Sequence, residues 1–297
     1  MQGLDLRALE IFRTVATEGS VSRAAAKLGR VQSNISTRIK QLEDQLGKSL
    51  FLRQPRGLAL TADGRLLLSY TERLLELSRE AAEALREGKP TGTFRIGTME
   101  STAAARLPDI LSRYHEAYPD VRIELETGTA GALIDGLLGY DLEAIFVAEP
   151  VAFERIATQP VFEECLVLVA PKSFPRIDDT RAVSGKTVVA FEEGCAYRRY
   201  LEEWLLDAGI VPGNIMSVGS YLAILACVSA GTGYAVVPQS VLDVVATKGQ
   251  FHRYKLPAKL SKIRTMLAWR SNYTSSKLDA LRSLLPDALR TGNSAAA

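Results

Sequence analysis

The chain has 297 residues, 47% of them hydrophobic and 24% charged, an ordinary globular balance that excludes a low-complexity or fibrous polymer and calls for two or three folded units. Its net charge of +2 hides an asymmetry: residues 1–60 hold ten Lys and Arg against five Asp and Glu, a balance of +5, and the remaining 26 basic and 29 acidic residues give −3. That excess points to a polyanionic partner for the first fifth of the chain. Cys165, Cys195 and Cys227 are too few and too scattered for a disulfide framework or a metal centre. With no charged-then-apolar leader and no apolar run near about 18 residues, the expectation is a soluble, cytoplasmic protein with no membrane partner.

A first helix is predicted over 4–18, where Leu6, Leu9, Phe12, Val15 and Ala16 recur at helical spacing and Gly19 stops the run. Ser20 or Ser22 caps a second helix whose Ala24, Ala25 and Ala26 join high propensity to minimal bulk, so that another helix can cross closely. Leu28 seals that contact and Gly29 permits a sharp turn. A third helix, over 32–46, buries Ile35, Ile39, Leu42 and Leu46 and leaves Gln32, Ser33, Ser36, Thr37 and Arg38 on a polar face. In a helix-turn-helix this end of the second helix lies in the major groove, where amides, hydroxyls and guanidinium read base edges. A solvated surface is the alternative, and the alanine-rich partner helix, the glycine turn and the local charge favour double-stranded DNA. Ser22, Arg23 and Asn34 join the candidate contacts.

Downstream, SLFLRQPRGLALT alternates apolar residues around Pro55-Arg56-Gly57, the pattern of a hairpin wing. Leu50, Leu52, Leu58 and Leu60 are expected to hold it to the helices, with Arg53 and Arg56 on phosphates, contacts that position without specifying sequence. Thr61 then caps a long helix toward residue 88. Its Leu67, Tyr70, Leu74, Leu77 and Ala81 step by three and four between charged flanks, a seam that wants a second copy.

The stretch SVSRAAAKLGRVQSNISTRIKQLEDQLGKSLFLR resembles the winged helix-turn-helix of LysR-type transcriptional regulators in its Ala-Ala pair, the Gln opening the recognition helix, QLEDQLG and the LF.R ending. One departure stands out: Ser33 and Asn34 occupy positions where the family commonly has Pro and Ala. The resemblance implies an N-terminal winged helix-turn-helix, all-α with a small β wing (1–61), a linker helix for dimerisation (62–88), a hinge (89–92), and an α/β regulatory domain of two lobes like periplasmic binding proteins (93–290). A disordered tail is expected over 291–297. It also implies a homodimer or homotetramer on DNA, a small-molecule effector, RNA polymerase as a further partner, and no cofactor.

From Phe94 onward strand and helix patterns alternate. Strands are predicted at 94–98, 121–127, 143–148, 165–170, 187–191, 215–218, 233–237, 251–255 and 263–269. Helices are predicted at 102–118, 131–139, 196–208, 220–230, 239–246 and 275–286. AGTGYAVVP at 230–238 resembles the family's Gly-rich helix end and buried strand. Ligands in such sheets sit beyond the carboxyl ends of strands, which nominates Thr98, Glu100, Ser101, Thr102, Thr129, Glu149, Cys195, Tyr197, Arg198, Ser220 and Tyr221. Glu100, Glu149, Glu192 and Glu193 would attract an amine. Helix-opening hydroxyls with Arg198 and Arg199 would suit an organic acid, the alternative for those arginines being to pair with Glu192 and Glu193. MESTAA, CAYRRYLEEW and SYLAILACV are similar to segments of the putrescine-utilisation regulator branch, which favours the amine. Two rival classes are an enzyme and a transport solute-binding protein. His115, His252 and Cys195 stand in no triad or metal spacing, so no catalytic residue is nominated, and neither rival has a use for residues 1–87.

Overall fold

The computed structural model describes residues 3–54, 57–85, 89–174, 177, 180–245, 251–257 and 262–286, and the chain divides into two compact units, Met1–Glu87 and Gly88–Ala297. Arg56 and Pro55 of the wing turn, the linker end at 86–88 and the tail at 291–297 lie outside the described residues.

In the first unit three helices, α1 (Leu6–Glu18), α2 (Val21–Lys27) and α3 (Gln32–Leu46), are followed by β1 (Phe51–Gln54), β2 (Gly57–Leu60) and α4 (Ala62–Ala84). Their ends follow capping chemistry. Asp5 accepts from Arg7 N, Ser20 accepts from Arg23 N, and Gly19 and Gly47 close α1 and α3 in the left-handed region. Ala24 is fully buried and Ala25 nearly so, together with Ile11, Phe12, Val15, Ile35, Ile39, Leu42 and Leu50. Thr61 caps α4 by accepting from Gly64 N at 2.9 Å. Two ties hold the wing. Glu43 accepts from Leu50 N at 2.7 Å, and Leu58 N donates to Gly19 O at 2.8 Å. That second approach requires a glycine at 57, because a Cβ there would lie 2.5 Å from Gly19 O.

Three details of this unit differ from expectation. Leu52 is 54% exposed, and Phe51 instead packs on Phe12 with ring centroids 5.4 Å apart. A register shift of one residue exchanges the faces of a strand, and alternation alone did not settle which leucines pointed inward. Leu46, on the last turn of α3, packs on the core but is only half-buried. Leu67 packs with Leu68 against the helix-turn-helix core rather than standing in an outward seam, whereas Leu66, Tyr70, Leu74 and Leu77 are exposed.

The second unit begins with β3 (Gly92–Thr98), α5 (Glu100–Ala105), α6 (Pro108–Ala117), β4 (Val121–Thr127), α7 (Ala130–Gly139), β5 (Ala144–Ala148) and β6 (Ile156–Glu164). It continues through β7 (Leu166–Pro171), a short 3-10 turn at Thr180–Val183, β8 (Thr187–Ala190), α8 (Ala196–Asp207), β9 (Asn214–Ser217), α9 (Tyr221–Ser229), β10 (Ala235–Pro238), α10 (Gln239–Val244) and β11 (Phe251–Lys255). It ends with β12 (Ile263–Arg270) and α11 (Ser276–Leu284). One lobe is a mixed sheet in the order β4-β3-β5-β12-β6, and the other carries β10-β7-β11 and β8-β9. The chain therefore crosses between lobes twice, at Cys165 and again between β11 and β12.

Two expectations fail here. The helix predicted over 102–118 is broken at Arg106 and Leu107, because Pro108 lacks the N–H that a continuous helix would use and instead opens α6. The strand β6 was not anticipated: it contains Pro160 and ends in two glutamates, yet it is the sheet edge, where a proline is tolerated beside the irregular register at Thr265/Met266.

Two buried charge networks fix this unit. Lys277, 1% exposed, donates at 2.7 Å to both Glu143 and Thr93 O, and Glu143 also accepts from Tyr273 OH at 2.6 Å and Arg95 N at 2.8 Å. At the first crossing, Glu164 takes Arg106 Nε on one oxygen and Ser240 Oγ on the other, both at 2.7 Å, so that a single buried carboxylate joins α5 to α10. Removing one member of a buried pair leaves the other charge uncompensated. Lys277→Met should therefore lower the stability of this unit by about 3–5 kcal/mol in urea unfolding. Lys48→Met, which breaks the exposed pair with Asp63, should change stability by less than about 1 kcal/mol.

Candidate functional site

Burial of Ile35, Ile39 and Leu42 turns the opposite side of α3 to solvent, and Gln32, Ser33, Asn34, Ser36, Thr37 and Arg38 are all exposed there. Val31, Ser33, Asn34, Thr37, Arg38 and Gln41 share one shallow surface. Ser22 Oγ donates to Gln32 Oε1 at 3.2 Å, joining the two helices of the motif, and Arg38 reaches Gln41 Oε1 at 3.4 Å. Arg53 is exposed on β1. Arg23 is engaged within the chain: its Nε donates to Glu18 O at 3.0 Å, beside the Glu18 carboxylate that Lys27 also holds. Its guanidinium thus satisfies the carbonyl end of α1, a role the sequence pattern did not suggest.

The residues nominated in the second unit divide into those that meet and those that do not. Glu100, Ser101, Thr129, Cys195, Tyr197 and Tyr221 line one small pocket between the lobes, with a cavity volume of about 20 Å³, together with Met99, Gly128, Ala130, Phe191 and Ala196. Glu100 is the charged member of that lining. Its Oε1 faces Ser220 Oγ and Tyr221 N, each at 3.4 Å, and its buried Oε2 has no hydrogen-bond partner among the described residues. Burial is the main influence on its carboxyl and raises it above the usual range, against the lowering effect of those two donors. Nearby, the hydroxyls of Ser101, Thr102, Tyr197 and Thr265 are buried without hydrogen-bond partners among the described residues; Ser101 and Thr265 approach the Tyr197 hydroxyl without hydrogen-bond geometry.

Other nominated residues are placed elsewhere. Thr98 is fully buried and donates to Met99 O at 3.2 Å, so it does not line the pocket. Thr102 lies behind the lining at 1% exposure. Glu149 is held by Arg264, through Nε at 2.8 Å and the backbone N–H at 3.0 Å; burial alone would raise its carboxyl, but these bonds bring it below the ordinary value. It is an ion-pair partner, not a cleft carboxylate. Arg198 is equally committed, to Glu202 at 2.7 Å, Ser217 Oγ at 3.1 Å and Phe191 O at 3.2 Å. Glu192 and Glu193 are exposed, which leaves one carboxylate in the pocket where four were expected.

Sequence reasoning missed Phe191 and Thr265. Phe191 follows directly on β8 and its ring lies tilted against Tyr221, centroids 5.1 Å apart, so the strand-end rule contained its signal. Thr265 lies inside β12, fully buried behind the lining as Thr102 is, and nothing in its local sequence announces the sheet order that brings it beside the Tyr197 hydroxyl. His115 and His252 are exposed on α6 and β11, in different lobes, and no cluster of potential metal ligands occurs among the described residues. Among the same residues no helix is long and apolar enough to cross a membrane.

A winged helix-turn-helix followed by a two-lobed domain with a central pocket defines the class of ligand-responsive DNA-binding regulators. Residues 6–65 match the bacterial regulatory helix-turn-helix protein model of the lysR family, and residues 87–290 match the LysR substrate binding domain. The chain is 38% identical over 280 residues to the uncharacterized HTH-type transcriptional regulator YusT of Bacillus subtilis (strain 168), covering 94% of this chain and 93% of that one. It is 37% identical over 270 residues to the HTH-type transcriptional regulator GltR of the same strain, covering 91% of each. Among solved structures, full-length CbnR complexed with its target DNA shares the fold with a TM-score of 0.69 and 22% identity, over 95% of this chain and 99% of that one. The chain belongs to the LysR family of DNA-binding transcriptional regulators, and its second unit is the family's effector-binding domain.

The cysteines give a direct check on the pocket. Burial raises the Cys195 thiol, the opposite of an activated thiolate, whereas Cys165 is exposed. With a disulfide reagent at neutral pH, one fast-reacting thiol is expected and should vanish in Cys165→Ser, while Cys195 should react on unfolding. A fast phase removed by Cys195→Ser would contradict this geometry.

Proposed function

We propose that the chain binds promoter DNA as a homodimer through the exposed face of α3, and that a small amine, cationic or zwitterionic, is its effector in the pocket between the lobes. The observation that carries the effector reading is Glu100: a half-buried carboxylate, the charged member of the pocket lining, with one oxygen unpartnered among the described residues. An ammonium group would neutralise it and add a charge-assisted hydrogen bond. Unpartnered hydroxyls of Ser101 and Tyr197 offer bonds to a second polar group, and Phe191 and Tyr221 offer apolar and cation–π contact. The segments that resemble the putrescine-utilisation branch lean the same way. An organic acid is the second reading, but it would need Arg198, whose three bonds within the chain already use much of its donor capacity.

On DNA, Gln32, Ser33, Ser36, Thr37 and Arg38 would read base edges, with Asn34 beside them and Arg53 on phosphate. Closure of the lobes around a ligand that prefers one conformation would shift how paired heads sit on their site. Dimerisation is assigned to the exposed stripe of Tyr70, Leu74, Leu77 and Ala81 on α4. A tetramer and a contact with RNA polymerase extend the same reading by family resemblance.

A thermal-shift screen of diamines, amino acids and organic acids tests the effector. An amine at 100 times its dissociation constant should stabilise the protein by about 2.7 kcal/mol, and Glu100→Gln should abolish the effect. Because the Glu100 carboxyl lies above the usual range, acidification should weaken binding while exposed glutamates are still ionised. Stabilisation by organic acids alone, lost in Arg198→Ala and retained in Glu100→Gln, would refute the amine. For assembly, Leu74→Glu places a charge in the stripe and should sediment as a monomer with much weaker DNA binding; sedimentation like the wild type would remove the stripe from the interface.

A further inference from the structure

We propose that Val31 and Gln32 together read one thymine, Val31 packing on its 5-methyl group and Gln32 donating to its O4. The inference rests on the reading above that the N-terminal half of α3 enters the major groove. Val31 occupies the N-cap of α3 with extended backbone, φ −79° and ψ 144°, and makes no capping bond. Asp5, Ser20, Thr61, Thr129 and Ser275 supply a side-chain oxygen at the corresponding position of their helices, and Met99, Leu107, Cys195, Ser220 and Pro238 do not but are buried or half-buried, which leaves Val31 as the uncapped and exposed one among the described helices. Val31 forgoes that bond and gains no burial in exchange, since its side chain is 69% exposed. It belongs to the same shallow surface as Ser33, Asn34, Thr37 and Arg38. An apolar branched side chain at the leading edge of a DNA-reading face has one partner in the major groove, the thymine methyl.

The neighbouring residue narrows the base further. Gln32 Oε1 already accepts from Ser22 Oγ, so the group Gln32 turns outward is its NH2, a donor. A bidentate pairing with adenine would need that oxygen to accept a second bond on its other lone pair while it stays turned toward Ser22, and cytosine presents a donor where the outward NH2 needs an acceptor. Thymine joins an acceptor, O4, to an adjacent methyl, the two features that a held Gln32 and an exposed Val31 complement.

The test uses the full chain and a duplex selected by it from random sequences. Each thymine of the selected site is replaced in turn by deoxyuridine, which removes the methyl and keeps O4. Wild type should lose roughly fourfold in affinity at one thymine per bound head, the value of one buried methyl group, and Val31→Ala should bind the two duplexes equally. Val31→Ser regains a cap oxygen, so it should unfold at a higher temperature than wild type and still lose the discrimination, which separates recognition from folding. At the same position, 5-methylcytosine paired with guanine keeps the methyl and replaces the acceptor by a donor. It should weaken wild type further, and should weaken Gln32→Ala no more than it weakens a Gln32-independent position. Equal binding of wild type to every deoxyuridine duplex, or discrimination retained in Val31→Ser, would overturn the assignment. If Arg38→Ala nonetheless changes the selected sequence, the helix face stands and only the Val31 assignment falls; if it does not, the face itself is wrong.

Discussion

Burying a carboxylate away from any cation is among the costliest arrangements a protein can make, and it persists only where a proton, a ligand or fixed dipoles offset the cost. Glu100 is in that position, and the effector domain can be understood as the structure that holds it there. Its Oε1 is met from the other lobe by Ser220 and Tyr221 N, so the carboxylate spans the cleft before any ligand is considered. The helix break at Arg106 and Leu107, forced by Pro108, ends α5 and frees the Arg106 guanidinium to reach Glu164 at the first crossing. One short helix thereby contributes the cleft carboxylate at its start and, at its end, the arginine that holds Glu164, whose other oxygen takes Ser240 of the second lobe.

The head obeys a different constraint. Its third helix is buried by three residues on one side only, so everything on the other side is available for recognition, and precision must come from how the helix is held. Ser22 fixes Gln32, Glu43 fixes the wing through Leu50 N, and the close approach at Gly57 fixes the wing's far end against the α1 cap. Arg23 and Lys27, which composition alone would count as phosphate ligands, are drawn back to Glu18. The basic excess of the first sixty residues is therefore less fully available to DNA than their charges suggest.

Local chemistry made the head legible. Caps, alanine bulk and glycine stops act within a few residues, and α3 begins and ends where the pattern placed it. Sites that depend on distant partners were not legible. Glu149 and Arg264 are 115 residues apart, and nothing near either announces the other, so a strand-end glutamate was read as a ligand group when it is an ion pair. For Arg198 the pairing alternative is the one the structure shows, with Glu193 at 3.8 Å and Glu202 at 2.7 Å, while a further partner, Ser217, is brought to it by the pairing of β8 with β9. The edge position of β6 excuses its proline, but edge and centre are properties of the finished sheet. Of the four wing leucines, Leu50, Leu58 and Leu60 pack on the core as the alternation placed them and Leu52 turns outward, with Phe51 taking its place. The strand-end rule did gather six of the eleven nominated residues around one pocket, because the sheet topology that justifies it holds here.

The central claim is that ligand in the cleft and DNA on the head are coupled, and coupling between two binding sites must be reciprocal. The direct measurement is calorimetric titration of an amine that stabilises the protein, made in the absence and in the presence of saturating selected duplex, alongside DNA titrations with and without the amine. The account predicts that the ligand dissociation constant changes on DNA, by a factor of about 5–150 for a typical coupling of 1–3 kcal/mol, and that DNA affinity changes by the same factor. Equal ligand affinity on and off DNA, with DNA affinity unmoved by the ligand, would contradict it.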